Sequence, residues 1–579
     1  MANQEIAKIF YKIALYFEMD DVPFKPQAYE KAAINLEILS GDVVDIYKKG
    51  GQEALKEIPG VGKNIADKII EYIKTGKIKE YQSLKKKIPV DIEELISVEG
   101  IGPKGVKYLY KTLKIKNLKD LEQAAKTGKI KNLPNFGEKK EQNILEGIEF
   151  LKRSKGRFLL GEILPRVQEI ILRLKELKEV KQISEAGSVR RRKETIGDVD
   201  ILITSPNPKK VIDYFVAMPG VVKIWGKGLT KASVKLKDGF DVDLRVLPDS
   251  QFGSALQYFT GSKEHNIVLR KIAIDNGLKL SEYGLFRGSK MVAGKTEKEI
   301  YKTLKMDYIE PELRENTGEI DFALKKNLPK IINYSDIMGD LHIHSKWGDS
   351  KREGKNSIKE LAELAIKMGY QYIGIADHTK FLRIENGLNE KQLIERNKEI
   401  DKLNTEYKVQ NTKFKIFKGC ETNIMADGSI DIEDKVLAQM DFVIAGIHSQ
   451  MKMPKVQMTE RIINAMKNPN IDIISHPTGR ILKKRDEYEV DFEKLLKVAE
   501  ETRTILEINA SPIRLDLNDI RIKKAKQVGV KMIINTDAHK KEQLRFMEYG
   551  VSQARRGWTE KKDIINAWPV EKLLKMMKK

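Results

Sequence analysis

From residue 340 onward, short apolar runs alternate with helical segments, and most runs end close to a metal-binding side chain. The runs Tyr372–Ala376, Phe442–Gly446, Ile471–Ile474 and Met532–Ile534 lead into Ala376-Asp377-His378, Ile447-His448-Ser449, Ser475-His476-Pro477 and Asn535-Thr536-Asp537-Ala538-His539. The segment opens with Asp340-Leu341-His342-Ile343-His344, and Asp349 and Glu421 (in Gly419-Cys420-Glu421) lie between these motifs. Helical patterning such as Ile358–Met368 separates the runs. This alternation predicts a parallel sheet or barrel. In a parallel barrel, residues just past the carboxyl ends of strands converge on one mouth. A single histidine is ordinarily structural, but here six of seven follow residue 340. Imidazoles and carboxylates gathered at one mouth make a multinuclear metal site that activates water against phosphate esters.

The 579 residues exceed one core and should form roughly three to five domains. Lys and Arg outnumber Asp and Glu by 106 to 84, a net charge of +22. That favours a polyanionic partner, either nucleic acid or an anionic membrane. A charged fraction of 33% also fits a lysine-rich thermophile surface, and charge alone does not separate the two. The single cysteine, Cys420, excludes a disulfide framework and fits a reducing cytoplasm; its apolar setting suggests an inert thiol. No apolar run approaches the ~20 residues of a membrane span, and Met1-Ala2-Asn3-Gln4-Glu5 is no signal peptide.

Residues 1–150 read as helical, with apolar positions such as Ile6, Ile9, Ile13 and Phe17 at helical spacing. Three hairpins punctuate them: Ile58-Pro59-Gly60-Val61-Gly62, Val98-Glu99-Gly100-Ile101-Gly102 and Leu133-Pro134-Asn135-Phe136-Gly137. A glycine hairpin leading into a helix offers backbone N–H groups and the helix dipole to an anion. Lys63, Lys68, Lys104 and Lys107 add charge nearby. The third copy carries Asn135 where the others carry Gly60 and Gly100, and is the weaker match. Gly100-Ile101-Gly102-Pro103-Lys104-Gly105 also spells a dinucleotide-binding fingerprint, but it follows a helical run and contains Pro103. Gly288 to Gly294-Lys295-Thr296 misses a P-loop by one residue of spacing.

Between about 180 and 250 the pattern turns to short β-branched runs. Gly187-Ser188 precedes Gly197-Asp198-Val199-Asp200, and Asp241-Val242-Asp243-Leu244-Arg245 follows on a second strand. Acids at alternate strand positions share a face. Three carboxylates on adjacent strands can hold two Mg²⁺ for phosphoryl transfer, while the Gly-Ser turn supplies donors for a terminal phosphate.

The hairpins resemble helix-hairpin-helix modules, which grip DNA phosphates without reading sequence. Gly187-Ser188, Gly197-Asp198-Val199-Asp200, Val242-Asp243-Leu244-Arg245 and Tyr258-Phe259-Thr260-Gly261-Ser262 resemble the family X DNA polymerases, and the segment after residue 338 is similar to the PHP (polymerase and histidinol phosphatase) domain. Together and in this order they resemble the bacterial and archaeal family X polymerases over essentially the whole chain. The resemblance implies a multidomain α+β and α/β fold. Residues 1–85 would form a helical lyase-like DNA-binding domain and 86–150 a helix-hairpin-helix subdomain. Residues 151–260 would form a nucleotidyltransferase palm with a mixed sheet, 261–320 a small α+β thumb and 321–338 a linker. Residues 339–579 would form a distorted (β/α)7 PHP barrel.

Residue by residue, the resemblance implies Asp198, Asp200 and Asp243 as polymerase ligands for Mg²⁺, Asp243 rather than Asp241 because it heads the Leu-Arg context. Gly187, Ser188 and Arg191 would meet the triphosphate, Tyr258, Phe259, Thr260 and Gly261 the sugar, and Asn266 the base edge. Lys263 stands where the vertebrate enzyme has an acid. Gly60, Gly62, Lys63, Gly100, Gly102 and Lys104 would contact DNA. Lys68 matches the lyase nucleophile of the vertebrate enzyme, although a phosphate-binding role fits it at least as well. In the barrel, His342, His344, Asp349, His378, Glu421, His448, His476, Asp537 and His539 would hold about three ions, Mn²⁺ or Zn²⁺. The family's usual Trp-Ser-Asp-Gly-Lys-Asn-Ser is interrupted here, so Glu353 competes with Asp349, which is favoured because it lies two residues after Trp347.

The expected protein is therefore a cytoplasmic monomer that binds gapped or nicked DNA and dNTPs. It would fill short gaps in base excision repair and trim 3′ ends, with the abasic-site endonuclease activity frequent in the family. The rivals are a small-molecule phosphoesterase of the histidinol-phosphatase kind, which leaves the central acids unexplained, and a DNA-binding scaffold with inert sites, which leaves the full complement of acids and histidines unexplained.

Overall fold

The computed structural model describes all residues except 1, 38, 40–41, 97, 99–100, 135, 155–156, 349–355, 383–385, 411 and 579. Gly100, Asp349 and Glu353 thus lie outside the described residues.

The N-terminal region packs around two apolar clusters. Helix Ala2–Met19 serves both, giving Ile6, Phe10 and Ile13 to the first and Tyr16 and Met19 to the second. One turn recurs three times: Val61 N donates to Ile58 O (2.9 Å), Ile101 N to Val98 O (3.1 Å) and Phe136 N to Leu133 O (3.1 Å). Gly62 and Gly102 cap the helices Lys63–Thr75 and Pro103–Leu113, and the third turn leads into helix Gly137–Ser154. The third hairpin is thus the same unit despite its weaker sequence, because Leu133 and Phe136 repeat the apolar anchors.

The central sheet comprises β1 (Gln182–Glu185), β2 (Val199–Thr204), β3 (Val221–Lys227), β4 (Lys231–Leu236) and β5 (Asp241–Leu247), ordered β1-β2-β5-β4-β3. Only β2 and β5 run parallel. Val242, Leu244 and Val246 of β5 are buried beneath the sheet, which turns Asp241, Asp243 and Arg245 to the other face. Helices Phe252–Thr260 and Lys263–Asp275 lead into a second α+β unit with a three-stranded antiparallel sheet.

Parallel strands form the C-terminal barrel: β6 (Gly339–Ile343), β7 (Tyr372–Ile375), β8 (Lys415–Lys418), β9 (Glu421–Asn423), β10 (Ile444–Gly446), β11 (Ile473–Ile474), β12 (Ile505–Asn509) and β13 (Met532–Asn535). Strand β8 pairs with β7 and β9 with β10, so Gly419 and Cys420 bend a single strand position between two partners and the barrel has seven positions. It closes between β13 and β6, where His344 N donates to Ala538 O (2.8 Å) and Leu341 N to Asn535 Oδ1 (3.0 Å). These strands are buried nearly throughout, as expected for parallel strands covered on both faces.

The barrel packs against the units before it. Leu515 and Tyr549 enter the apolar cluster of the central domain, and Trp558 enters that of the unit that follows it. Arg480 pairs with Glu194 (2.7 Å) and Arg555 with Glu312 (2.7 Å). The segment read as a linker over 321–338 is largely exposed but is pinned by a few buried apolar side chains. Ile320, Ala323 and Ile331 pack into the preceding unit and Ile332 and Ile337 into the barrel, so apolar burial rather than a free spacer fixes the junction. Among the described residues no helix is long and apolar enough to cross a membrane.

Candidate active sites

In the central domain, the parallel register sets Asp200 directly beside Asp243 on adjacent strands, and Asp198 lies just before β2. Gly187 (φ +59°) brings the Gly-Ser turn onto this pair: a Cβ there would stand 2.9 Å from Asp200 Oδ2. Burial pushes the Asp200 carboxyl up to about 7, reinforced by Asp198 and Asp243 against Arg245 and Lys231. Lys231 Nζ holds Asp243 Oδ2 at 2.9 Å, a partner that the motif reading missed. Asp241 accepts from Trp225 Nε1 (2.8 Å), which separates its role from that of Asp243.

A raised folded-state value makes the metal-free domain less stable as pH rises. The contribution of Asp200 is complete below pH 4 and lost as pH climbs through about 7. In chelator-treated protein, Asp200→Asn should therefore stabilise more at pH 8 than at pH 5, by about 3 kcal/mol, from the roughly two pH units between 5 and 7 at 1.36 kcal/mol per unit. Thermal or urea melts of the two proteins check this, and a gain independent of pH would contradict it.

Arg191 Nη1 donates to Thr260 O (2.6 Å) and its Nε to Glu315 Oε1 (3.0 Å), joining the phosphate-side loop to the Tyr258-Phe259-Thr260-Gly261 helix end. Asn266 is hydrogen-bonded within the turn. Its Nδ2 donates to Tyr258 O (2.6 Å) and Gly261 O (3.1 Å), and its Oδ1 accepts from Gln257 (2.8 Å). The amide thus supports the turn rather than presenting an open hydrogen-bonding edge. A Cβ on Gly261 would come within 2.4 Å of Asn266 Oδ1. Lys263, where the vertebrate family pattern has an acid, reaches Tyr11 OH (2.6 Å) on the first helix.

In the N-terminal domain, Lys68 Nζ is ion-paired to Glu80 (3.1 Å), whose carboxylate also accepts from Tyr29 OH. Lys104 is exposed and pairs with Asp21 (2.7 Å).

At the barrel mouth, eight of the nine expected ligands converge, the ninth lying outside the described residues. Strand ends set the spacing: His448, His476 and Asp537 each fall two residues past a strand. Glu421 is the hub, with Oε2 2.8 Å from His378 Nδ1 and 3.3 Å from His342 Nε2, and Oε1 3.0 Å from His476 Nε2 and 3.4 Å from His448 Nε2. Asp537 Oδ1 lies 3.2 Å from His344 Nε2, and His539 stacks on His344 with centroids 4.1 Å apart. Three groups have donor atoms close enough to share an ion: His344, His378 and His539; His342, His344, Glu421 and Asp537; and His378, Glu421 and His448. Among the described residues, His342 Nε2, His378 Nδ1, His448 Nε2 and Glu421 Oε2 are buried without a hydrogen-bond partner, which such ions would supply. This nitrogen and carboxylate set fits Mn²⁺ or Zn²⁺.

The electrostatics of His448, His344 and Glu421 suit ligation, whereas at His342 burial is outweighed by Glu507, Glu421 and Asp537, which hold the imidazole well above its ordinary value without metal. Burial pushes His448 down to about 4, and burial with His539 and His378 holds His344 well below the ordinary value, so both imidazoles are neutral. Burial acts against the Glu421 carboxylate, but His342, His378 and His448 outweigh it and keep it low. His476 (φ +30°) and Asp537 (φ +54°) hold left-handed backbone, strain that clusters at functional sites.

An outer layer escaped the motif reading. Glu507 Oε1 bonds His342 Nδ1 (2.7 Å), its Oε2 accepts from His476 N (2.8 Å), Asn423 orients His448 (2.8 Å) and Asn509 reaches Asp537 Oδ2 (3.1 Å). The one available signal was polar Glu507 and Asn509 interrupting the apolar run of β12.

Residues 1–78 match a helix-hairpin-helix domain and 92–149 a SAM-like helix-hairpin-helix tandem. Residues 255–315 match the DNA polymerase beta thumb and 340–511 the PHP domain. The chain is 38% identical over 572 residues to the DNA polymerase/3′-5′ exonuclease PolX of Bacillus subtilis (strain 168), covering 98% of each. It is 27% identical over 306 residues to DNA polymerase lambda of Rattus norvegicus, 46% of this chain and 48% of that protein. It is 33% identical over 214 residues to a probable phosphatase of Thermoanaerobacter sp. (strain X514), 34% of this chain and 78% of that protein.

Proposed function

Because the chain belongs to the family X DNA polymerases that carry a PHP domain, we propose that it fills short DNA gaps in base excision repair and trims 3′ ends at a separate site. Gapped or nicked DNA and dNTPs are its substrates. The observation that carries this reading is the coexistence of two constellations on one chain: Asp200 beside Asp243 under the Gly187 turn, and the Glu421-centred histidines of the barrel.

Bound Mg²⁺ at the acids would supply charge neutralisation for a primer hydroxyl and a triphosphate, and about three bound Mn²⁺ or Zn²⁺ ions would supply an activated water at the barrel. The protein's own groups do the positioning. Asp198, Asp200 and Asp243 present their carboxylates on one face. Ser188 and Arg191 meet the triphosphate, and the Tyr258-Phe259-Thr260-Gly261 helix end bounds the sugar, with Asn266 holding its shape. The hairpins at Gly60-Gly62 and Gly100-Gly102, with Lys63 and Lys104, grip phosphates on either side of the gap. In the barrel, Glu507 and Asn423 fix His342 and His448 in the orientations that point their free nitrogens inward. Asp349 is the proposed ninth ligand, and abasic-site cleavage is a further proposed activity of this site.

The direct test is a one-nucleotide gap with all four dNTPs, for which addition of one templated nucleotide is expected. The alternative outcome is a small-molecule phosphoesterase: hydrolysis of p-nitrophenyl phosphate with no reaction on DNA would replace the polymerase reading.

Lys68, held by Glu80, is proposed as a phosphate-binding cation rather than a Schiff-base nucleophile. Borohydride treatment on incised abasic DNA should then trap no more adduct with the wild type than with Lys68→Ala. A Lys68-dependent adduct would instead assign lyase chemistry.

A further inference from the structure

Arg556 is the last residue of helix Met547–Arg556 in the barrel domain, and its guanidinium bridges Asp519 of the barrel to Arg191 and Glu315 of the polymerase half. Its side chain is 2% exposed. Nη1 donates to the main-chain O of Arg191 (2.8 Å) and to Glu315 Oε1 (3.0 Å), and Nη2 bonds the Asp519 carboxylate. Arg191 Nε lies 3.0 Å from that same Glu315 oxygen. One carboxylate, 17% exposed, is thus shared by an arginine of the triphosphate loop and an arginine of the barrel.

The sharing has a consequence for nucleotide binding. Arg191 must turn toward the triphosphate when a nucleotide arrives, and a buried carboxylate left without a partner opposes that movement. Burial acts to raise the Glu315 carboxyl, but Arg556 first and Arg191 second outweigh it and hold it below the ordinary range. Lys193 also approaches Glu315, but at 3.6 Å and from a side chain 37% exposed, where water screens it. Arg556 is the buried cation that stays.

We propose that Arg556 of the barrel domain is a positioning residue for nucleotide binding in the polymerase domain: it anchors the backbone at Arg191 and keeps Glu315 paired when the Arg191 side chain leaves for the triphosphate. The barrel would then contribute to synthesis through this contact, independently of its own metal cluster. The inference rests on the polymerase reading and on the triphosphate role of Arg191.

The test uses the full-length protein on one-nucleotide-gapped DNA, with the templated dNTP titrated. Arg556→Gln should raise KM for the dNTP about tenfold, the scale of one charged hydrogen bond. Maximal kcat should stay within about threefold and 3′ trimming should remain that of the wild type, while Tm falls modestly because Glu315 and Asp519 lose a buried partner. Arg556→Lys, with a single ammonium that does not span the carbonyl and both carboxylates, should fall between. Glu315→Gln removes the group that requires the partner, so in that background Arg556→Gln should raise KM less than about threefold. An unchanged KM in Arg556→Gln overturns the proposal. So does an equal loss of synthesis, trimming and Tm, which marks simple unfolding, or a full KM rise that persists with Glu315→Gln. A wild type that adds no nucleotide overturns the polymerase reading itself, and this inference with it.

Discussion

Asp243→Asn is expected to reduce nucleotide addition on gapped DNA by about a thousandfold or more, roughly 4 kcal/mol of transition-state stabilisation, while 3′ trimming stays within about twofold of wild type. The parallel register places Asp243 directly beside Asp200, where the two carboxylates repel each other strongly enough to help raise Asp200. Such repulsion is sustained in a fold when a cation site requires it. An asparagine keeps the shape but removes one charge and turns an NH₂ group toward the place where a cation would bind. Asp241→Asn makes the contrast. Asp241 shares the face but is held by Trp225, so its loss should cost less than about tenfold. Single-turnover extension of a labelled primer separates the two. Equal losses in both variants would show that the Leu-Arg context had selected the wrong acid.

Glu421→Ala should have the mirror effect. Its carboxylate lies within 3.4 Å of His342, His378, His448 and His476 and joins two of the three candidate ion groups. Its removal should abolish trimming, by about a thousandfold or more, and lower the metal bound per chain, while gap filling continues. Glu507→Gln leaves every ligand in place and loosens His342, so trimming should fall about 10- to 100-fold. Metal analysis alongside the nuclease assay checks both. Retained trimming in Glu421→Ala would move the hydrolytic site elsewhere.

Much of this architecture was legible because its determinants are local. A ligand two residues past an apolar run needs only the strand ending that places it, as at His448, His476 and Asp537. The Asp-x-Asp of β2 shares a face by the geometry of a strand, and each hairpin closes with a bond between residues three apart. Contacts between distant segments were not legible. Arg556 and Glu315 are 241 residues apart, and Arg480 and Glu194 are 286 apart, so no spacing rule connects either pair. The motif around Asn266 says nothing about the carbonyls of Tyr258 and Gly261 that hold its amide. The segment over 321–338 read as a connector because its apolar residues follow no single helix or strand period, yet Ile331, Ile332 and Ile337 find separate cores on either side of it. Glu507 was hidden because its partners, His342 and the His476 amide, come from two other strand ends.

The central claim is that one chain carries two separable active sites of opposite effect on a primer end. The most direct measurement follows a 5′-labelled primer in a one-nucleotide gap, with Mg²⁺ or Mn²⁺ and with dNTPs present or absent. It compares the wild type, Asp198→Ala/Asp200→Ala and His342→Ala/His344→Ala. The account predicts that the acid variant only shortens the primer and the histidine variant only extends it. Loss of both reactions in either variant would contradict two independent sites, and a wild type that neither extends nor shortens the primer would leave a DNA-binding scaffold in their place.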